Sequence, residues 1–144
     1  MTNVTIEKFG YPATLIRDYR HWVVLLRPAQ PTLGSLVLAA KSEATAFGDL
    51  PAGAHAELAG VTRDIEAALT GAIRYAKINY LMLMMVDPNV HFHVIPRYEG
   101  EREKNGISIT DAGWPAQPAL GQAVALTAGQ ISALAAWLKD TWPA

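Results

Sequence analysis

The chain has 144 residues, 51% of them hydrophobic and 17% charged, with twelve Lys and Arg against thirteen Asp and Glu for a formal net charge of −1. That length and composition exclude a disordered chain and lead us to expect one domain, 1–144, around a filled core. The near-neutral balance argues against nucleic-acid binding by bulk charge, and the absence of Cys excludes disulfides, thiolate metal sites and a thiol nucleophile.

The first residues lack the basic and then apolar regions of a secretory signal. The longest apolar stretch, Tyr80 to Val86, is too short to cross a bilayer. The expectation is a cytoplasmic protein with no membrane partner.

In chain order, strands are predicted over Thr14 to Asp18, His21 to Leu26 and Ser35 to Ala39, with Pro28 and Pro31 bracketing a turn before Gly34. Their Val- and Leu-rich runs between Pro and Gly suggest antiparallel pairing. Ser42 is a candidate cap for a short turn through Phe47, and Asp49 with Pro51 marks a helix start. Leu58, Val61, Ile65 and Leu69 then form one apolar helical stripe, and His55 falls in the first turns as a solvated residue.

Ile78 to Val86 reads as a strand buried on both faces, Asp87-Pro88 as a tight turn, and Asn89 to Tyr98 as its hairpin partner. A two-residue turn places Met84 opposite His91 and Met82 opposite His93. Glu99 to Leu126 reads as mostly irregular. A last helix begins near Thr127, which forms a capping-box pattern with Gln130, and its stripe is Ile131, Leu134 and Leu138, with Trp137 beside it.

The chemistry concentrates in Asn89-Val90-His91-Phe92-His93-Val94-Ile95. Alternation along a strand puts Asn89, His91, His93 and Ile95 on one face, roughly 6.5–7 Å apart, and Val90, Phe92 and Val94 on the other. Burying two imidazoles and an amide requires partners for each. Three readings stay open on pattern alone. The first is a satisfied, non-functional His-x-His. The second is a metal site, completed by His21, Asp87 or a distant carboxylate. The third is nucleophilic attack on phosphorus by a neutral imidazole.

The run Val90-His91-Phe92-His93-Val94-Ile95-Pro96-Arg97 resembles the signature strand of the histidine triad family, His-φ-His-φ-His-φ-φ with φ apolar. It is most similar to the fragile-histidine-triad-like branch that continues Pro-Arg. Leu26 to Leu38 with Gly34, and Phe47-Gly48-Asp49-Leu50 before a long helix, match the family's order, so the resemblance covers about 14–98. The tail, 99–144, is similar only to some bacterial members.

The resemblance implies an α+β fold, a five-stranded antiparallel sheet with a long helix packed on it and a C-terminal helix, paired into a homodimer. It implies nucleotide hydrolysis or nucleotidyl transfer at the α-phosphorus, on dinucleoside polyphosphates or nucleoside phosphoramidates, through a nucleotidyl-histidine. His91 is then the nucleophile, with Nδ1–H held by a carbonyl, and His93 contacts phosphate. Ser35, Leu26 and Arg97 are candidate substrate contacts. Phe9 and Leu15 are weaker candidates for a base pocket, Asn79 reads as a sheet-end hydrogen bonder, and Trp114 packs the tail on the body. No metal or other cofactor is implied, although polyphosphate substrates commonly travel with Mg²⁺.

Three departures stand out. Asn89 replaces the first triad His, and Ser35 stands where many members have a further His. The Asp87-Pro88 turn leaves no room for the longer loop that reaches the phosphates in many members. The alternative these departures motivate is a mononucleotide-binding module without turnover.

Overall fold

The computed structural model describes residues 2–144. Helix α1 (Val4–Lys8) leads into β1 (Leu15–Asp18), β2 (Trp22–Leu26), the short β3 (Ala29–Gln30) and β4 (Leu36–Ala40). The long helix α2 (Ala52–Ile73) precedes β5 (Lys77–Leu81) and β6 (His91–Arg97). A hairpin of β7 (Glu101–Lys104) and β8 (Ile107–Thr110), the short β9 (Val124–Ala125) and helix α3 (Ala128–Thr141) complete the chain.

Five strands form one antiparallel sheet in the order β1-β2-β4-β6-β5. Its register assigns every side chain to a face. Leu26, Leu36 and Val94 align on one, whereas Leu25, Val37 and His93 align on the other. The first face is covered by α2 and α3, and Trp22, Val24, Leu36, Val61, Ile65, Leu69, Leu134 and Leu138 join one buried cluster there. Each such side chain contributes about 1.5–3 kcal/mol by leaving water. The indole N–H of Trp22 donates to Ala54 O at 2.8 Å, so burying this ring strands no polar group.

The expected helices are present. Thr127 Oγ1 accepts from Gln130 N at 3.2 Å while Gln130 Oε1 accepts from Thr127 N at 2.9 Å, the reciprocal cap. Gly34 is required twice over. Its φ of +89° suits glycine, and a Cβ there would lie 2.9 Å from the Ile73 side chain.

The Ser42 hydroxyl accepts from Ala44 N, and a single 3₁₀ turn follows at Phe47–Asp49. Three expectations are corrected. The strand predicted to Val86 ends at Leu81, and 82–90 is a loop instead of a two-residue turn. Met84 there has φ +55°, incompatible with a ladder, and Met85 and Val86 are 85% and 79% exposed, so apolar composition alone mimicked a buried strand. The register moves accordingly: Leu81, not Met82, lies opposite His93. Finally, the tail is not mostly irregular. Asn105 and Gly106, with φ +54° and +79°, turn the β7–β8 hairpin, and β9 pairs with β3.

Candidate active site

The second face of the sheet carries Val23, Leu25, Val37 and Ala39 from β2 and β4, and His91 and His93 from β6. A five-residue helix and the 82–90 loop cover it. Asn3 caps α1 by accepting from Ile6 N at 3.0 Å, and its amide donates to Ala40 O and Ser42 O at 2.9 Å each, fixing the helix to the end of β4. Ile6 is thereby buried against the aliphatic residues of this face, and Phe9 lies 5.5 Å from the His91 ring and 5.8 Å from the His93 ring, centroid to centroid.

Asn89 acts through both its side chain and its backbone. The Oδ1 atom accepts from Thr5 N and Thr5 Oγ1, and Nδ2 donates to Glu43 O, so the amide ties α1 and the segment before α2 to the start of β6. Its carbonyl oxygen lies 2.8 Å from His91 Nδ1. A carbonyl only accepts, so Nδ1 of His91 carries a proton, and in the neutral ring the lone pair then lies on Nε2. That Nε2 has no hydrogen-bond partner among the described residues and is not sealed from solvent.

His91 and His93 are 2% and 7% exposed and stand edge to face, 5.1 Å between centroids. Both line a cavity of about 290 Å³ with Lys8, Phe9, Arg27 and residues 83–87 of the loop. Its polar contents are the two imidazoles, Arg27 and the Lys8–Asp87 ion pair at 2.7 Å. Burial, followed by the Arg27 charge, lowers His93 from its ordinary value to about 4, which leaves it neutral at pH 7. Burial also lowers Arg27, although a guanidinium remains a cation.

Arg27 was not singled out in the sequence. It follows β2, its Nε donates to His93 Nδ1 at 3.3 Å, and its backbone N–H donates to Ser35 O. The contact spans 66 positions of sequence, and the only local signal is a cation ending an apolar strand before Pro28.

The other candidates disperse. The Ser35 hydroxyl donates to Thr32 O at 2.8 Å and bonds Thr32 Oγ1, bracing the turn that carries Arg27 from beneath. Leu26 is fully buried on the helix-covered face, so it does not share the imidazoles' side of the sheet. Arg97 shares their face, but its guanidinium donates to both Asp111 oxygens at 2.8 and 3.1 Å and to Asn79 Oδ1 at 2.8 Å, pinning the tail to β6. Leu15 packs at the margin of the Ile6 cluster. The His21 ring lies against Gly53 at the start of α2, where a Cβ would approach it to 2.8 Å, and His55 is exposed with its ring against Phe47. Trp114 lines a second cavity, of about 570 Å³, with Lys77, Asn79 and Arg97.

No cluster of three His, Asp or Glu side chains converges as a metal site among the described residues. Nor is any helix there long and apolar enough to cross a membrane.

No family model matches the chain, and no curated protein matches its sequence. Solved structures do match in three dimensions. A histidine triad protein from Bradyrhizobium japonicum aligns with a TM-score of 0.75 at 22% identity, covering 99% of this chain and 98% of that one. Another from Sinorhizobium meliloti 1021 gives 0.75 at 22% identity over 98% and 96%. The chain has the histidine triad fold. Within that fold lies also a diadenosine triphosphate hydrolase from Plasmodium falciparum, solved with cyclomarin A, at a TM-score of 0.63 and 10% identity over 94% and 92% of the two chains. A Mycobacterium smegmatis histidine triad family protein described as zinc-bound aligns at 0.54 and 19% identity over 94% and 92%.

Proposed function

We propose that the protein hydrolyses or transfers nucleotides at the α-phosphorus, with His91 forming a transient nucleotidyl-histidine. The observation that carries this reading is the 2.8 Å contact of His91 Nδ1 with Asn89 O, in a cavity shared with His93, Arg27 and Lys8. An imidazole so held, in its neutral form, presents the Nε2 lone pair to a cationic space, as attack on phosphorus requires.

In the first step His91 Nε2 forms the N–P bond while the bond to the leaving group breaks, and the leaving group takes up a proton from solvent. In the second, the oxygen of a water molecule bonds phosphorus as the N–P bond breaks and one of its protons returns to solvent, releasing nucleoside monophosphate and restoring neutral His91. His93 and Arg27 stabilise charge on the non-bridging oxygens. Asn89 contributes its carbonyl, while its side chain holds the lid of the site.

The substrate classes are dinucleoside polyphosphates and nucleoside phosphoramidates, the first in keeping with the hydrolase from Plasmodium falciparum. The proposal includes a cytoplasmic homodimer working without a cofactor, with Mg²⁺ accompanying polyphosphate substrates. A second reading, mononucleotide binding without turnover, is favoured by one observation: the Asn89 and Ser35 side chains are committed to structural hydrogen bonds and leave two imidazoles at the site.

Product analysis separates the two. Wild-type and His91→Ala protein are incubated with adenosine and guanosine phosphoramidates and dinucleoside polyphosphates. Monophosphate released by wild type alone supports catalysis. Mononucleotide binding with no release from any substrate establishes the binding module instead.

A further inference from the structure

The two imidazoles of β6 meet opposite kinds of partner at the same ring atom. His91 Nδ1 faces a carbonyl oxygen, Asn89 O, at 2.8 Å, whereas His93 Nδ1 faces a guanidinium N–H, Arg27 Nε, at 3.3 Å. A carbonyl requires a proton on the ring nitrogen and a guanidinium forbids one, because Arg has five donors and no acceptor. We propose that Arg27 is a positioning residue that fixes His93 as the neutral Nε2–H tautomer, the reverse of His91, so that the cavity offers a lone pair and an N–H donor side by side.

The surroundings leave no competing assignment. Groups facing His93 come from four elements: Lys8 of α1, Arg27 after β2, Asp87 of the 82–90 loop and His91 of β6. The one carboxylate among them, Asp87, is paired with Lys8. The strand neighbours of His93 are Val37 and Leu81, which offer no side-chain hydrogen bond. His93 Nε2 has no partner among the described residues and is not sealed, so its proton is directed at the cavity.

Arg27 is itself held in place. Its Nη1 donates to Ala29 O at 2.5 Å, its backbone N–H donates to Ser35 O at 3.0 Å, and its carbonyl accepts from Gln30 Nε2 at 2.6 Å. The Gln30 and Ser35 side chains that brace this turn are both fully buried. Positive charge at the site therefore resides on a guanidinium that does not titrate in the physiological range, and His93 donates one hydrogen bond without needing to be protonated. This deepens the nucleotidyl-transfer reading, and rests on it for its chemical purpose. The tautomer itself is measured without substrate, so it can fail independently.

The test is ¹⁵N-detected NMR of the histidine rings in the full chain, with long-range ¹H–¹⁵N correlations separating protonated from lone-pair nitrogens. At pH 7 the wild type is expected to show His93 with a bare Nδ1 and a protonated Nε2, and His91 with the opposite pattern. In Arg27→Leu, His93 should become a mixture of tautomers and its titration midpoint should move up from about 4. An unchanged His91 pattern shows that the site is still folded. A wild-type His93 protonated at Nδ1, or doubly protonated at pH 7, overturns the proposal even if the variant cannot be prepared. So does an Arg27→Leu spectrum in which His93 is unaltered.

Discussion

The two faces of the five-stranded sheet are built from the same strands and differ in what covers them. One lies under the 22-residue helix α2 and the 14-residue α3, and its Val, Leu, Ile and Trp side chains form a continuous buried cluster. The other lies under a five-residue helix and a loop, and carries two imidazoles beside a small aliphatic patch. A long helix can fill a face completely; a short one with a loop leaves a cavity. The filled face therefore holds most of the buried core, and the open face holds the candidate site.

If that division holds, substitutions on the two faces should separate. The largest effect belongs to the open face. His91→Ala should reduce turnover by roughly 10³-fold or more while leaving the melting temperature close to wild type. At the far end of the open face, where the tail packs on β6 away from the cavity, Asp111→Ala strands the buried Arg97 charge and should cost about 3–5 kcal/mol in chemical denaturation, because the pair is 4% and 1% exposed. On the filled face Leu69→Ala should cost about 2–5 kcal/mol, with specific activity of the folded fraction retained. Equal loss of activity in Leu69→Ala and His91→Ala would break the comparison.

The smallest effect is in acid. His93 sits at about 4 when folded against about 6.5 unfolded. Between those values the unfolded chain binds a proton that the folded one does not, so stability rises with pH through this window and falls as pH drops from 6.5 toward 4. Thermal melts should show that decline, and His93→Gln should make it shallower.

The filled face was almost wholly legible. The spacing of Val61, Ile65 and Leu69 announces α2, and Thr127 with Gln130 announces α3, because a helix writes its contacts within a few residues of themselves. His91 and His93 were legible for the same reason, as alternating residues on one strand. The cover over them was not. Helix α1 is too short to show periodicity, and its anchor to Asn89 joins residues 84 positions apart. The 82–90 loop is apolar enough to pass for a strand, although three methionines in place of β-branched residues were a signal against it. Arg27 reaches His93 only through the pairing of β2, β4 and β6, which local pattern does not encode. The Asn105-Gly106 hairpin, by contrast, is written plainly in its turn residues, although the Gly- and Pro-rich stretch around it reads as irregular.

In the proposed reaction His91 Nε2 is the atom that bonds phosphorus. The most direct measurement is a rapid alkaline quench of wild-type protein during turnover, followed by intact-mass analysis and fragmentation of the peptide that contains both histidines. A nucleotidyl increment localised to His91, and absent from His91→Ala, is the predicted result. An increment on His93, or turnover that proceeds with no adduct at either ring, would contradict it.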